Sequence, residues 1–126
     1  MDIAISALLG KTLTEVTGDV GSDVMTFACS DGSRFRMFHR QDCCEWVNVE
    51  DINGDLADLI GSPITLAEES TSGDNPPDAK PETLEYQDSF TWTFYLLGTA
   101  KGVVTLRWYG SSNGYYSESV NFAQDA

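Results

Sequence analysis

The chain has 126 residues, 20 of them acidic and 7 basic, so its formal net charge is −13. This charge argues against direct binding to nucleic acid, anionic membranes or acidic metabolites and favours basic protein surfaces. With 41% apolar residues, including six Phe, five Tyr and three Trp, the sequence predicts one packed domain, 1–126, rather than a disordered acidic tail.

The N-terminus is predicted to form a short helix that Asp2 caps and Gly10 ends. An acid at the position where a secretory signal carries bases, and the absence of about 18 consecutive apolar residues, lead us to expect a cytoplasmic protein. Period-two patterns then predict strands at 12–17, 24–29 and 33–39. Asp31-Gly32 is the strongest hairpin signal in the chain.

The third of these strands alternates strictly. Phe35, Met37 and His39 are predicted on one face. The other face is predicted to carry Arg34, Arg36, Phe38 and Arg40. This side therefore combines bases with an aromatic ring.

In the middle of the chain, strands are predicted near 46–49 and 64–67, with one helical turn between Asp55 and Ile60. Residues 70–83 contain three prolines and almost no apolar side chain. That composition predicts a long exposed loop, the one place where disorder is expected.

The last third alternates most clearly. Three strands at 90–96, 103–109 and 116–122 are separated by Gly-rich turns, which predicts an antiparallel meander with Trp92 and Trp108 on its inner face. The whole chain is predicted to be mainly β, with minor helix. Two meanders, 11–50 and 64–123, are expected to close into a curved antiparallel sheet, a roll or barrel-like sandwich.

The negative charge is concentrated between residues 42 and 88, where thirteen acids face Lys80 alone. The flanking stretches nearly balance. A surface of this kind attracts basic proteins. The alternative is a solvated face that only keeps a small protein soluble.

The densest cluster of reactive groups is His39-Arg40-Gln41-Asp42-Cys43-Cys44-Glu45. Imidazole and thiolate are zinc ligands, so His39, Cys43 and Cys44 are candidate metal residues. The spacing is unfavourable, because adjacent strand residues point to opposite faces, and no cofactor is expected. In the alternative, Asp42 bonds local backbone amides and one cysteine belongs to the core. The odd count of three cysteines argues against a disulfide framework and agrees with a reducing compartment.

Tyr109, Tyr115 and Tyr116 flank the turn at 110–114. Clustered tyrosines can stack bases or sugars, but base stacking normally accompanies a basic groove, and Arg107 is the only local cation. Tyrosine is also enriched in interfaces, which favours a protein contact.

Several motifs together resemble an uncharacterised protein family of tailed phages and prophages, a domain of unknown function. The similarity covers essentially the whole chain. The motifs are Leu9-Gly10-Lys11-Thr12, His39-x-x-Asp42-Cys43-Cys44-Glu45, the segment 50–56, the segment 59–64, the segment 91–95, Arg107-Trp108-Tyr109-Gly110 and the segment 113–117. The resemblance implies a phage origin and carries no catalytic residues.

From these observations we predict a phage-encoded, non-enzymatic inhibitor or accessory protein in the host cytoplasm. Its partner would be the basic surface of a nucleic-acid-binding or defence protein, and in the sharpest form it is an anti-CRISPR factor. The predicted partner-binding residues are Glu50, Asp51, Asp55, Asp58, Glu68, Glu69, Tyr109, Tyr115 and Tyr116. The alternatives are a zinc protein or enzyme centred on His39, Cys43 and Cys44, or a virion structural or assembly component.

Overall fold

Two antiparallel four-stranded sheets make up most of the molecule, in a computed structural model that describes residues 2–85 and 87–125. The strands are β1 (Leu13–Thr17), β2 (Val24–Cys29), β3 (Arg34–Phe38), β4 (Trp46–Asn53), β5 (Leu66–Ser72), β6 (Ser89–Thr99), β7 (Gly102–Ser112) and β8 (Asn121–Gln124). The first sheet has the order β1-β2-β3-β8 and the second the order β4-β7-β6-β5. The helical elements are two 3-10 helices, Ile5–Leu8 and Leu56–Leu59, and one α-helical turn, Pro81–Leu84. The predicted mainly β fold with minor helix is confirmed, but the sheets do not close into a barrel.

The core lies between the two sheets. The first sheet contributes Met25, Phe27, Phe35, Met37 and Phe122, and the second contributes Val49, Tyr95, Leu97, Val104, Leu106 and Trp108. The indole N–H of Trp108 donates to the sulfur of Met37 at 3.1 Å, which joins the sheets. The predicted alternation of β3 is confirmed, because Phe35 and Met37 are buried while Arg34 and Arg36 are exposed.

Two strands lie in different sheets from those that the sequence predicted. After β3 the chain crosses to the second sheet, where β4 pairs with β7. After β7 it crosses back, so that β8 pairs with β3 instead of extending the meander. Alternation identifies a strand and its buried face, but it does not identify the neighbouring strand, which is why both meanders were predicted one strand too long.

Two large aromatic residues lie side by side on the outer face of the second sheet. Trp92 and Tyr109 are register partners on its outer face, whereas Trp108 faces the core. The prediction that both tryptophans face inward is therefore wrong for Trp92. This side chain is nevertheless fully buried, because residues 73–85, which we call the strap, fold over it.

The predicted loop at 70–83 is correct only in part. Residues 70–72 belong to β5, and Pro81–Leu84 form the helical turn. Between them the chain is held by polar contacts: Asn75 accepts a hydrogen bond from Trp92 Nε1 at 3.0 Å, and Asp78 accepts one from Arg107 at 2.8 Å. A segment with few apolar side chains is thus ordered by hydrogen bonds to the sheet that it covers.

The N-terminal helix also differs from its prediction. It is a single 3-10 turn without a side-chain cap, and Leu9 is 48% exposed. Asp2 instead accepts hydrogen bonds from Arg40 at 2.6 Å and Asn121 at 2.7 Å. Its carboxylate therefore fixes the N-terminus to β8 and to the end of β3. No helix in residues 2–85 and 87–125 has the length and apolar character needed to cross a membrane.

Candidate functional site

The charges of the chain are divided unequally between the two sheets. Residues 42–120, which form the second sheet and its connections, contain fourteen acids and three bases; we call this part the acidic half. The remaining residues contain six acids and four bases. Because the two sheets form opposite sides of the sandwich, the molecule has one nearly balanced side and one strongly negative side.

Bases of the first sheet and its connections pair with acids of the same side. The ion pairs there are Lys11–Asp31 at 2.7 Å, Arg36–Asp125 at 2.5 Å and Arg40–Asp2 at 2.6 Å. The Arg36 and Arg40 guanidinium groups also lie 4.6 and 5.2 Å from the centre of the Phe38 ring. These two arginines therefore do not neutralise the carboxylates of the acidic half.

Glu50 does not belong to the free negative surface. It is 5% exposed and accepts hydrogen bonds from Arg107 Nε at 2.9 Å and Nη2 at 2.6 Å. Arg107 Nη1 donates to Asp78 at 2.8 Å, and this hydrogen bond holds the pKa of Asp78 below its usual value. Lys80 completes the arrangement by donating its ammonium to the Glu50 carbonyl oxygen at 2.7 Å. The structure therefore gives Glu50 an internal role, with the strap attached through Asp78 and Lys80.

Three further predicted residues lie in β4 and in the connection that follows it. Asp51 is half-buried in β4 and is the register partner of Arg107. Asp55 caps the second 3-10 helix by accepting the Ala57 N–H at 3.0 Å. Asp58 lies against Gly102 at the turn between β6 and β7, where a Cβ on the glycine would come within 2.8 Å of a carboxylate oxygen.

Glu68 and Glu69 are exposed on β5, an edge strand of the second sheet. By register, Glu68 shares the outer face with Leu96, while Glu69 points to the opposite side with Tyr95. The two residues line an open groove of about 610 Å³ that also contains Phe94 and Leu96. Neither Asp55, Asp58, Glu68 nor Glu69 forms an ion pair within the described part of the chain.

The three predicted tyrosines are separated by burial. Tyr109 is 2% exposed and its ring centre lies 4.7 Å from that of Trp92. Tyr115, by contrast, is 83% exposed and packs edge-on against Tyr116 at 5.0 Å in the connection to β8. Sequence reasoning missed Trp46, which is 54% exposed beside Tyr109. Its alternation with Val47 and Val49 at the start of β4 was the available signal that it faces outward.

The connection between β3 and β4 is organised by Glu45. Its buried carboxylate accepts the backbone N–H groups of Asp42 at 2.8 Å and Cys43 at 2.9 Å, and it contacts His39 Nε2 at 2.8 Å. Burial opposes ionisation, but these hydrogen bonds outweigh it and lower the pKa of Glu45 to about 2. The predicted acceptor of the local amides was Asp42, but the acceptor is Glu45, three positions later in the chain.

The candidate zinc residues have other partners. His39 contacts the Ser119 carbonyl oxygen at 2.6 Å through Nδ1, so both ring nitrogens are engaged. Cys43 and Cys44 are exposed and joined by a disulfide, whereas the cysteine of the core is Cys29. Within residues 2–85 and 87–125 no cluster of three His, Cys, Asp or Glu side chains has a geometry that could hold a metal ion. A metal at His39 would have to displace Glu45.

Together these features define an acidic antiparallel β-sandwich protein. The chain belongs to the family of DUF7448, a domain of unknown function, which matches residues 6–122. The match extends from the first 3-10 helix into β8, so both sheets lie within the family's domain. No curated protein and no solved structure matches the chain. The predicted resemblance to a domain of unknown function is therefore confirmed.

Proposed function

We propose that this protein is a phage-encoded, non-enzymatic inhibitor that binds a basic surface of a host protein through its acidic half. In the sharpest form it is an anti-defence factor, such as an anti-CRISPR protein, that occupies a nucleic-acid-binding site. The observation that carries the proposal is the separation of charge: residues 42–120 have fourteen acids and three bases, and the ion pairs of Arg36 and Arg40 lie on the other side.

The physical basis is substitution of carboxylates for phosphates. The backbone of a hydrogen-bonded sheet is already ordered, so only the side chains of its carboxylates lose freedom when they meet a basic site. Their summed field accelerates association and makes it sensitive to salt. Asp55, Asp58, Glu68 and Glu69 support this role because they carry charge that no cation of the described residues neutralises.

Charge reversal tests the proposal once a partner has been captured from host lysate and eluted with a salt gradient. Replacing Asp55, Asp58, Glu68 and Glu69 with Lys should abolish binding while circular dichroism shows an unchanged fold. Because Asp55 caps a helix and Asp58 packs on Gly102, the exposed pair Glu68→Lys/Glu69→Lys gives a second, structurally milder variant.

The matched control is Glu15→Lys/Asp19→Lys, which makes the same change in net charge at exposed positions outside the acidic half. We expect the β5 pair to lower the association rate at least about tenfold at low salt and the control to change it far less. Equal effects of the two double variants would mean that only total charge matters, and unchanged affinity in the fourfold variant would reject the proposal.

A further inference from the structure

A groove beside Trp46 combines aromatic walls with unpaired polar groups. Its volume is about 380 Å³, and it lies between Trp46, Tyr109 and Ser111 of the second sheet and Glu82 and Thr83 of the strap. Trp46 is 54% exposed, an unusual state for a side chain of its size next to an aromatic cluster. An indole left half-open at a groove is a frequent feature of binding surfaces.

The wall behind Trp46 is rigid. Tyr109 packs edge-on against Trp46 with ring centres 6.2 Å apart, and it also contacts Trp92 at 4.7 Å and Phe90 at 6.3 Å. Tyr109 is therefore held from several sides and is 2% exposed. Its hydroxyl is buried and has no hydrogen-bond partner among the described residues.

Negative charge borders this groove. Glu82 lines it and forms no ion pair within the described residues, and Asp23 lines a second cavity that shares Trp46. Lys80 lines a third cavity next to Trp46, but its ammonium is engaged by the Glu50 carbonyl oxygen. The cavities that share Trp46 are thus lined by Glu82 and Asp23, and the adjacent cation is held in a separate contact.

We infer that this groove binds a basic side chain, an arginine or a lysine, that the partner protein presents. The inference rests on the proposed function, because it names the contact that would anchor the partner on the acidic half. The cation would lie on the indole of Trp46 and pair with Glu82. An anion would be repelled by the acidic half, and a neutral group would gain no attraction from Glu82.

The inference can be tested without a known partner. N-acetyl-argininamide is titrated into the isotope-labelled full chain and followed by NMR, with N-acetyl-citrullinamide as a neutral analogue of the same shape. We expect saturable shifts of the Trp46 indole N–H and of the Thr83 and Ser111 amides with the arginine probe, at millimolar affinity. The citrulline analogue should bind with an affinity at least about fivefold lower.

Variants locate the site. Trp46→Ala should abolish saturation, Trp46→Phe should retain part of it, and Glu82→Gln should weaken binding about three- to tenfold. Glu15→Gln removes one charge from an exposed position in β1 and should leave the affinity unchanged. Equal affinity of the citrulline analogue, or equal effects of Glu82→Gln and Glu15→Gln, would overturn the inference.

The two proposals fail in different ways. If the arginine probe does not bind at Trp46 but charge reversal on β5 abolishes partner binding, the inference about the groove is wrong and the acidic half remains the proposed interface. If the probe binds at Trp46 but charge reversal leaves the partner's affinity unchanged, the proposed function is rejected and the groove remains a site for basic side chains.

Discussion

The two sheets share one core and one architecture, yet they treat charge differently. On the first sheet's side, Lys11, Arg36 and Arg40 each have an acid within 2.7 Å, all on exposed or half-exposed side chains. In the acidic half, Arg107 is 8% exposed and binds Glu50 and Asp78. The comparison teaches that one side of a fold can be neutralised by local pairs while the other keeps unpaired carboxylates, because its buried Arg107 pairs, among the described residues, only with Glu50 and Asp78.

The outer faces of the two sheets are covered in different ways. On the first sheet, Arg36 and Arg40 cover the Phe38 ring with their own guanidinium groups, so no further segment is needed. On the second sheet, Trp92 and Arg107 lie 5.3 Å apart under the strap. Removal of the large indole from water is favourable, and residues 73–85, which cover it, also cover the ion pair between Arg107 and Glu50.

The largest expected effect separates the two kinds of ion pair. Arg107→Leu leaves Glu50 buried without its cation, and we expect a loss of about 3–5 kcal/mol in the free energy of unfolding, measured by urea denaturation. Arg36→Leu breaks the exposed pair with Asp125 and should cost less than about 1 kcal/mol. Equal losses would contradict the comparison.

A double variant sharpens this prediction. Glu50→Leu together with Arg107→Leu removes both charges, so the stability loss should be smaller than the sum of the single losses by about 1 kcal/mol or more. Additive losses would show that the two side chains do not depend on each other.

A smaller effect is expected at the attachment of the strap. Asn75→Ala removes the acceptor of the Trp92 indole N–H and both hydrogen bonds to Gln87. We expect a loss of about 1–2 kcal/mol and faster cleavage by a glutamate-specific protease at Glu82 and Glu85.

Asp74→Ala is the matched control for the strap. The side chain of Asp74 makes no hydrogen bond within the described residues, and only its backbone N–H binds Ser72. It should change the stability by less than about 0.5 kcal/mol. Cleavage at the same rate in both variants would show that the Asn75–Trp92 contact does not hold the strap.

The last effect depends on pH and concerns the connection between the sheets, where the pKa of Glu45 is about 2 instead of its usual 4.5. Because the folded-state value is lower, ionised Glu45 stabilises the fold above about pH 4.5, and this contribution disappears as the pH falls towards 2. The stability gap between the natural chain and Glu45→Gln should therefore be widest near neutral pH and narrow continuously below pH 4.5.

Urea denaturation at several pH values measures that gap, and other carboxylates cancel because they are common to both proteins. Glu15→Gln controls for the loss of one charge at an exposed position. A gap that stays constant from neutral to strongly acidic pH would mean that Glu45 does not anchor the connection through its charge.

Much of the fold was predictable from local patterns. The strict alternation in β3, the Asp31-Gly32 hairpin and the pairing of β6 with β7 all agree with the sequence analysis. The candidate site was predictable only as a region. Asp55, Asp58, Glu68 and Glu69 form no ion pair within the described residues, whereas Glu50 and Tyr109 are buried, and Trp46 was overlooked.

The sequence alone determined approximately where most strands lie, which of their residues face inward in most cases, and how far negative charge exceeds positive charge. The strand predicted at 116–122 is instead β8, Asn121–Gln124. These properties depend on residues that are neighbours in the chain, so a periodic pattern or a count reveals them. Tertiary structure decided the rest. The exchange of β4 and β8 between sheets, the cover over Trp92 and the pairing of Glu50 with Arg107, 57 residues apart, depend on contacts between distant segments that no local pattern encodes.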